Sequence, residues 1–579
     1  MRDMDDNKRF LLALGLSLLV AFIWIQYYMA PYQQQLDKRS SSPVSVSDQE
    51  MSKEPGSLNI EKQKEQSPLE VAGAVSQKVL HPTLADLKNS EHVTVESDKF
   101  ILTINQLGGR LEKILLKGYA LQLGHSELLD LVYSKPGSSL PLGLRFGSSS
   151  DSFIKYVFQL SNGEYAGNNA NLSIPTGGEL NLIGIGTLPD GRQIRKAFRF
   201  KNGTYLFEID ASLSAPEKDA SSLWLEWSRF VSSADASERY NRKDFMLLNE
   251  AGKLVRVPGV KEKEGVQEAG KASWVSISDQ HFMATLLPEN PFSDVRIGRE
   301  GDVLIAGIKG SETQGKFKVY AGPKIYEDLK ELGYGLEKSV DLGWFSFLAY
   351  PILLLLRMFY ALLGNYGLAI ILLTLFIKIA FLPLTSASFR SMQAMQEIQP
   401  EVQALRERIE DPTKLNQELM ALYKRRGVNP LGGCLPIAIQ IPVFLGLYNA
   451  LLNAIELRHA PFALWINDLS APERLELFGV GVPLMILIMG VSMLIQQWTT
   501  PTAMDPAQKK AFMLMPVMFT VMFIVFPMPS GLVLYWLINN VISIVQQACL
   551  RKQSGIGPMQ ATIISSVAIF ILGYFLVLI

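Results

Sequence analysis

Between Gly367 and Thr385 the chain reads GLAIILLTLFIKIAFLPLT, an apolar run of bilayer-spanning length with one lysine, Lys378, inside it. About 20 apolar residues cross a hydrocarbon core, and a charge inside such a span costs roughly 2.5–3.5 kcal/mol on insertion scales. A fold that keeps Lys378 can meet that cost in two ways. The side chain can snorkel to the nearer interface, since Thr385 lies roughly 10 Å of helix further on. Alternatively, it faces water or a partner within the membrane. Thr374, Lys378 and Thr385 share one helix face, and that polar stripe favours a cavity.

Charge is partitioned along the chain. The 579 residues carry 55 basic and 55 acidic side chains, so no bulk attraction to nucleic acid follows. The charges crowd the middle and thin out after Val340, which points to membrane segments joined to a soluble part. Cys434 and Cys549 sit at the edges of apolar runs and imply no disulfide framework. The histidines at 81, 92, 125, 281 and 459 form no metal-binding spacing, and no phosphate-binding glycine loop is present. No catalytic constellation, cofactor site or metal site is visible.

The expected organisation follows from composition. Residues 1–31 hold a short start with Arg2, Lys8 and Arg9 and an apolar anchor ending WIQYYMAPY, with aromatics at interface depth. Residues 32–91 are rich in Ser, Gln, Glu, Lys and Pro and read as a disordered tether. Residues 92–340 alternate apolar and polar residues between Asn-Gly, Asp-Gly and Gly-Gly turns, which predicts an antiparallel β-sandwich with a linker helix at its end. Its tryptophans Trp224, Trp227 and Trp274 read as core. Spans are expected at about 367–386, 433–453, 480–498, 511–526 and 532–549, with a further apolar segment at 559–579.

The segment 343–363 could also cross. If it did, the loop carrying Arg390, Arg406, Arg408, Lys414, Lys424, Arg425 and Arg426 would share a face with the β domain. The positive-inside rule puts that loop in the cytoplasm, so 343–363 reads as a helix lying in the outer interface. The loop, 387–429, reads as a charged helical hairpin. Its seam is expected at Met392, Met395, Val402, Leu405 and Ile409, resuming at Leu415, Leu419 and Leu422 after the Asp411–Pro412 break.

The stretches NPLGGCLPIAIQIPVFLGLYNALLNAIELRHAPFALWINDLS (Asn429–Ser470), PSGLVLYWLINNVISIVQQ (Pro529–Gln547) and FIKIAFLPLT followed by SMQAMQEIQPEVQALRER closely resemble the YidC/Oxa/Alb family of membrane protein insertases. The anchor and large external domain resemble its Gram-negative form. The resemblance implies a multi-domain membrane protein: an all-α five-helix insertase core with a cytoplasmic hairpin, an N-terminal anchor and a periplasmic antiparallel β-supersandwich. It implies a hydrophilic groove open to the cytoplasm and lipid, with a cation where Lys378 stands and many members have Arg.

By motif position the groove would include Thr374, Lys378, Gln440, Gln496, Trp536 and Ser543. An apolar slide would include Phe444, Tyr448, Met518 and Met522. Asn539 and Asn540 read as interhelical glue. The VFPMPSGLV turn is longer than the usual Phe-Pro-Ser-Gly form, and the segment after Lys552 has no counterpart role; it is one more span or a lipid-facing brace.

The resulting expectation is a non-enzymatic insertase and folding chaperone of the bacterial inner membrane, N-terminus cytoplasmic. Nascent membrane proteins, Sec translocon components and lipids are its partners, with the ribosome a further candidate. A small-solute transporter is the alternative, and a sugar-binding envelope enzyme a third reading. Transporters usually carry internal repeats and helices broken at the midplane; no repeat is visible here.

Overall fold

In the strands His92–Glu96 and Phe100–Asn105, alternate residues Val93, Val95, Phe100, Leu102 and Ile104 turn inward and are fully or almost fully buried. Period-two alternation of this kind makes a sheet with one dry face. The structure, a computed structural model, describes residues 90–132, 139–147, 149–216, 222–231, 243–259, 264–428, 435–500, 506–526, 528–551 and 558–578. The expected anchor and nearly all of the expected tether lie outside them.

The first two strands belong to a five-stranded sheet that packs with a fourteen-stranded one. Among the described strands pairing is antiparallel, except that His92–Glu96 runs parallel to Ala170–Ser173; the isolated bridge Glu264–Arg299 is also parallel. The expected antiparallel sandwich thus carries one parallel strand pair, where the chain leaves the small sheet and returns beside its first strand in the same direction. In the large sheet Phe198 stands opposite Leu182 and Ile209, stacking apolar residues across three neighbouring strands. Trp227 and Trp274 are fully buried and Trp224 nearly so. Between the sheets, the Asp151 carboxylate receives Lys196 Nζ at 2.8 Å and Arg110 Nη2 at 3.1 Å, all three side chains being buried.

Past the β domain, α1 (Tyr326–Leu332) ends at Gly333, and Gly335 starts a 3-10 turn at Leu336–Ser339. Both glycines have positive φ, 79° and 71°, so the expected continuous linker helix is broken where only glycine is comfortable. The apolar half follows: α2 (Ser346–Leu363), α3 (Tyr366–Ala380), α4 (Leu382–Glu397), α5 (Gln399–Arg408), α6 (Pro412–Arg426), α7 (Leu435–Asn453), α8 (Leu484–Thr499), α9 (Pro506–Val525), α10 (Ser530–Arg551) and α11 (Pro558–Leu578).

Among the described residues, α2 and Ser530–Ala548 of α10 are long and apolar enough to cross a membrane. The α3–α4 pair qualifies as one bent span, and Leu484–Thr499, Phe512–Val525 and Thr562–Leu578 are shorter apolar helices.

Two expectations change in detail. The run containing Lys378 is not one straight helix: α3 stops at Ala380 and α4 leaves at 60°. Pro383, in the first turn of α4, supplies no N–H and cannot continue the preceding ladder. The first arm of the hairpin also breaks, at Ile398 before Pro400. Its packed seam is therefore Ile398, Val402, Leu419 and Leu422, with Met395, Leu405 and Leu415 at the edge. Met392 and Ile409 lie outside that cluster. The second arm begins where expected chemically, Asp411 Oδ1 accepting from Thr413 N–H at 2.9 Å.

Candidate functional site

The first turns of α3 are tied to the loop that follows α7. The Asn365 side chain caps α3 by accepting from Leu368 N–H at 3.1 Å, and its Nδ2 donates to the Phe462 carbonyl at 3.0 Å. Gly367 lets that loop close in, since a Cβ there would lie 2.0 Å from Phe462 Cδ2. The same loop buries Ile455, Leu457, Phe462, Ile466 and Leu469, and it caps α10 through Gly531 N–H to the Leu469 carbonyl at 2.9 Å. This end of the helical half is closed.

The opposite halves of the helices stand apart around a cavity of about 450 Å³. Lys378 enters it from the last turn of α3, Gln440 from α7, Gln496 from α8, and Trp536 and Ser543 from α10. Lys378 Nζ donates to Ser543 Oγ at 2.7 Å, and Ser543 Oγ donates to the Asn539 carbonyl at 2.8 Å. Gln440 Nε2 reaches Asn539 Oδ1 at 3.4 Å. Among the described residues no ion pair involves Lys378, so its charge meets hydroxyl and amide groups and no carboxylate. A cavity with largely apolar walls that holds Lys378 among hydroxyl and amide groups is suited to chain segments carrying polar or acidic residues, because burying an unpaired charge without such groups is costly.

Several of these residues were named from sequence, and the structure distributes them unevenly. Lys378, Gln440, Gln496, Trp536 and Ser543 come together. Thr374 does not line the cavity: it is fully buried and its hydroxyl bonds back to the Ile370 carbonyl at 2.7 Å, as membrane-helix threonines can. Phe444 packs edge-on to Trp536 with centroids 5.0 Å apart, and Tyr448, one turn on, is half-buried. Met518 and Met522 face outward on α9, 46% and 38% exposed, while Met515, Pro516 and Phe519 line the cavity. Asn540 bonds Ser492 Oγ at 3.0 Å and does tie α10 to α8.

Sequence reasoning missed the polar rim. Gln547 Oε1 accepts from Thr499 Oγ1 at 2.6 Å and Thr500 Oγ1 at 3.2 Å, and Ser388 contributes from the bent arm α4, beside the Thr385 of the expected polar stripe. The signal was present: Gln496–Gln497 with Thr499–Thr500, and Gln546–Gln547, are paired polar residues at the same ends of two apolar runs.

The model of the family described as 60Kd inner membrane protein matches residues 358–555, which include all of these cavity residues. That of the YidC periplasmic domain matches residues 92–355. A membrane protein insertase YidC of Syntrophus aciditrophicus is 35% identical, covering 95% of this chain and 100% of the relative. The chain belongs to the YidC family of membrane protein insertases. A YidC of Citrifermentans bemidjiense is 36% identical over 80% of this chain and 86% of its own. Among solved structures, that of an active YidC insertase with its first transmembrane domain resolved is 20% identical, with a TM-score of 0.34, covering 80% of this chain and 96% of that one.

With the β domain matched to the YidC periplasmic domain, its contacts with the helical half become part of the site's frame. Arg357 of α2 pairs with Glu456, beside the closing loop, and with Glu327 of α1 at 3.8 Å. Asn453 Nδ2 donates to the Asp341 carbonyl at 2.7 Å, and Gln280 Nε2 to the Leu452 carbonyl. The guanidinium of Arg458 lies 5.5 Å from the Phe282 ring centre and donates to the Leu121 carbonyl at 3.1 Å.

Proposed function

We propose that this protein inserts membrane-protein segments by admitting their polar flanks into the Lys378 cavity while their apolar parts move into lipid beside it. The observation that carries the reading is the cation of Lys378, which meets no carboxylate among the described residues and is hydrogen-bonded to Ser543 in a cavity shut at the end nearest the periplasmic domain. A polar flank crossing pure hydrocarbon loses its hydrogen bonds with water. A wet recess part-way across shortens that path, and the cation attracts acidic residues of the flank. Phe444, Tyr448, Met518 and Met522 offer adjoining apolar surface.

In this reading the chain lies in the bacterial inner membrane with its N-terminus and the α5–α6 hairpin in the cytoplasm. The helix α2 rests in the outer interface, with Phe347 and Leu362 of its open face 69% and 75% exposed. The protein acts as insertase and folding chaperone, alone or beside the Sec translocon, and any ribosome contact falls to the hairpin and the 505–510 segment. No catalytic step is required. Partitioning of the client drives the process, assisted by the membrane potential at roughly 2.3 kcal/mol per charge per 100 mV.

The test is insertion of a short single-span client into vesicles carrying the purified protein, read by protease protection of the translocated flank. Protection that depends on this protein, with no translocon present, is the expected result. Protection equal to that of empty vesicles overturns the reading.

A further inference from the structure

We infer that α11 is a working brace of the groove: it covers α10 against lipid, and Thr562 holds Gln546, a cavity-lining residue one turn beyond Ser543, in place. The helix lies beyond the 358–555 match, so the family assignment gives it no role. Its outer face is apolar and open, with Ile564, Leu572 and Phe575 each about 60% exposed. Its inner face is different. Thr562, Ser565 and Ser566 are 0%, 6% and 4% exposed, an unusual set of buried hydroxyls for a helix whose remaining sequence is almost entirely apolar.

Of these, Thr562 meets α10, while Ser565 Oγ donates to the Thr562 carbonyl of its own helix at 3.0 Å. Gln546 Nε2 donates to Thr562 Oγ1 at 2.7 Å. Gln546 itself is 2% exposed, and it stands three residues, one turn, beyond Ser543 on α10. Close approach on the other flank is secured by Gly573, where a Cβ would lie 2.8 Å from Ile371 Cδ1 of α3. The helix thus spans the backs of both helices that carry the Lys378–Ser543 contact. A carboxamide facing hydrocarbon has no solvent to replace its hydrogen bonds. With α11 in place, Gln546 has a hydroxyl partner and lipid is held off. Among the described residues, Gln546 Oε1 and Ser566 Oγ have no hydrogen-bond partner, so Thr562 is the residue through which α11 holds the carboxamide.

The test is a thermal cycle in nanodiscs on the full chain, Gln546→Leu, a chain lacking residues 558–579, and the two changes combined. Gln546→Leu is expected to lower the unfolding midpoint of the full chain, where it abolishes the bond to Thr562. In the shortened chain it is expected to raise the midpoint, because leucine then faces lipid in place of a carboxamide. The same sign in both backgrounds overturns the inference. If the shortened chain does not fold, Thr562→Val in the full chain replaces it, and Gln546→Leu must be stabilising there.

The positioning role rests on the insertase reading and is read by client insertion. Thr562→Ser keeps the hydroxyl and should insert as wild type. Thr562→Val keeps the volume and should lose about threefold, the size of an average interhelical hydrogen bond in a membrane. The reverse order means that Thr562 only fills space, and overturns positioning. Because the thermal cycle needs no client, a wild type that inserts nothing counts against the insertase reading alone.

Discussion

Lys378 Nζ lies 2.7 Å from Ser543 Oγ, and the proton of that hydroxyl is committed to the Asn539 carbonyl 2.8 Å away. The serine therefore turns its lone pairs to the ammonium, and α10 presents an acceptor to α3 at mid-cavity. If the groove needs only a positive charge, Lys378→Arg retains most client insertion. Lys378→Ala and Lys378→Glu should lose about tenfold or more, the worth of a charge-assisted contact. Ser543→Ala should cost about fivefold or less, because water in the cavity can take over the acceptor role. Protease protection of a single-span client, measured on variants with unchanged gel-filtration profiles, decides this. Equal insertion by all variants would make Lys378 a dispensable charge.

The contact between α8 and α9 leads to a stability prediction. A Cβ on Gly490 would lie 2.2 Å from Thr520 Oγ1, and that hydroxyl is held by its bond to the Pro516 carbonyl at 2.7 Å. Gly490→Ala should therefore destabilise by about 1–3 kcal/mol, the range for overpacking. Gly490→Ala combined with Thr520→Ala should recover most of it, read as thermal midpoints in nanodiscs. No recovery would place the strain elsewhere.

How much of this was legible beforehand depended on whether the signal was local. The β domain announced itself through alternation and turn residues, and Lys378 through a cost that hydrocarbon imposes on any single charge. Gln440, Gln496, Trp536 and Ser543 were reachable through motif resemblance, but not through spacing, because they come from three helices distant in sequence. Thr374 shares the Lys378 stripe at the level of periodicity, yet it sits one turn deeper, where α3 is packed on all sides and a threonine can satisfy itself on its own backbone. The bend after Ala380 was encoded in Pro383, whose effect on the ladder was outweighed in the sequence reading by an unbroken apolar run. Nothing local distinguishes Thr562, Ser565 and Ser566 from interhelical glue until their partner Gln546 is known.

The ion pairs of Arg357 join three segments that are separate in sequence. Its guanidinium meets Glu456 and lies 3.8 Å from Glu327, whose other contact is the Tyr350 hydroxyl at 3.2 Å. Arg357 and Glu456 are 21% and 18% exposed at the side chain, so solvent screens them only partly. Arg357→Ala should cost about 2 kcal/mol, below the full price of breaking a buried pair. The swap Arg357→Glu with Glu456→Arg should recover less than half, because Glu327 then meets a like charge. Full recovery in a thermal cycle would remove Glu327 from the network.

Acid should destabilise the periplasmic domain in a window set by His281. Burial is the main cause that pushes its imidazole down to about 4, and Lys324 and Arg458 add to it against the opposing pull of Asp279. The folded domain thus keeps His281 neutral where the unfolded chain, with an ordinary value near 6.5, binds a proton. Stability is complete above about pH 6.5 and falls as pH drops toward 4, by an amount on the order of 2 kcal/mol once partial solvent contact is allowed for. Asp279, held below the usual carboxylate range by Lys243 and Arg229 despite its burial, begins to lose its contribution only below about pH 4. The two effects are separable. His281→Asn should flatten the limb between pH 6.5 and 4 and leave the steeper fall below it, read as unfolding midpoints across that range. An unchanged limb in the variant would assign the acid sensitivity to another group.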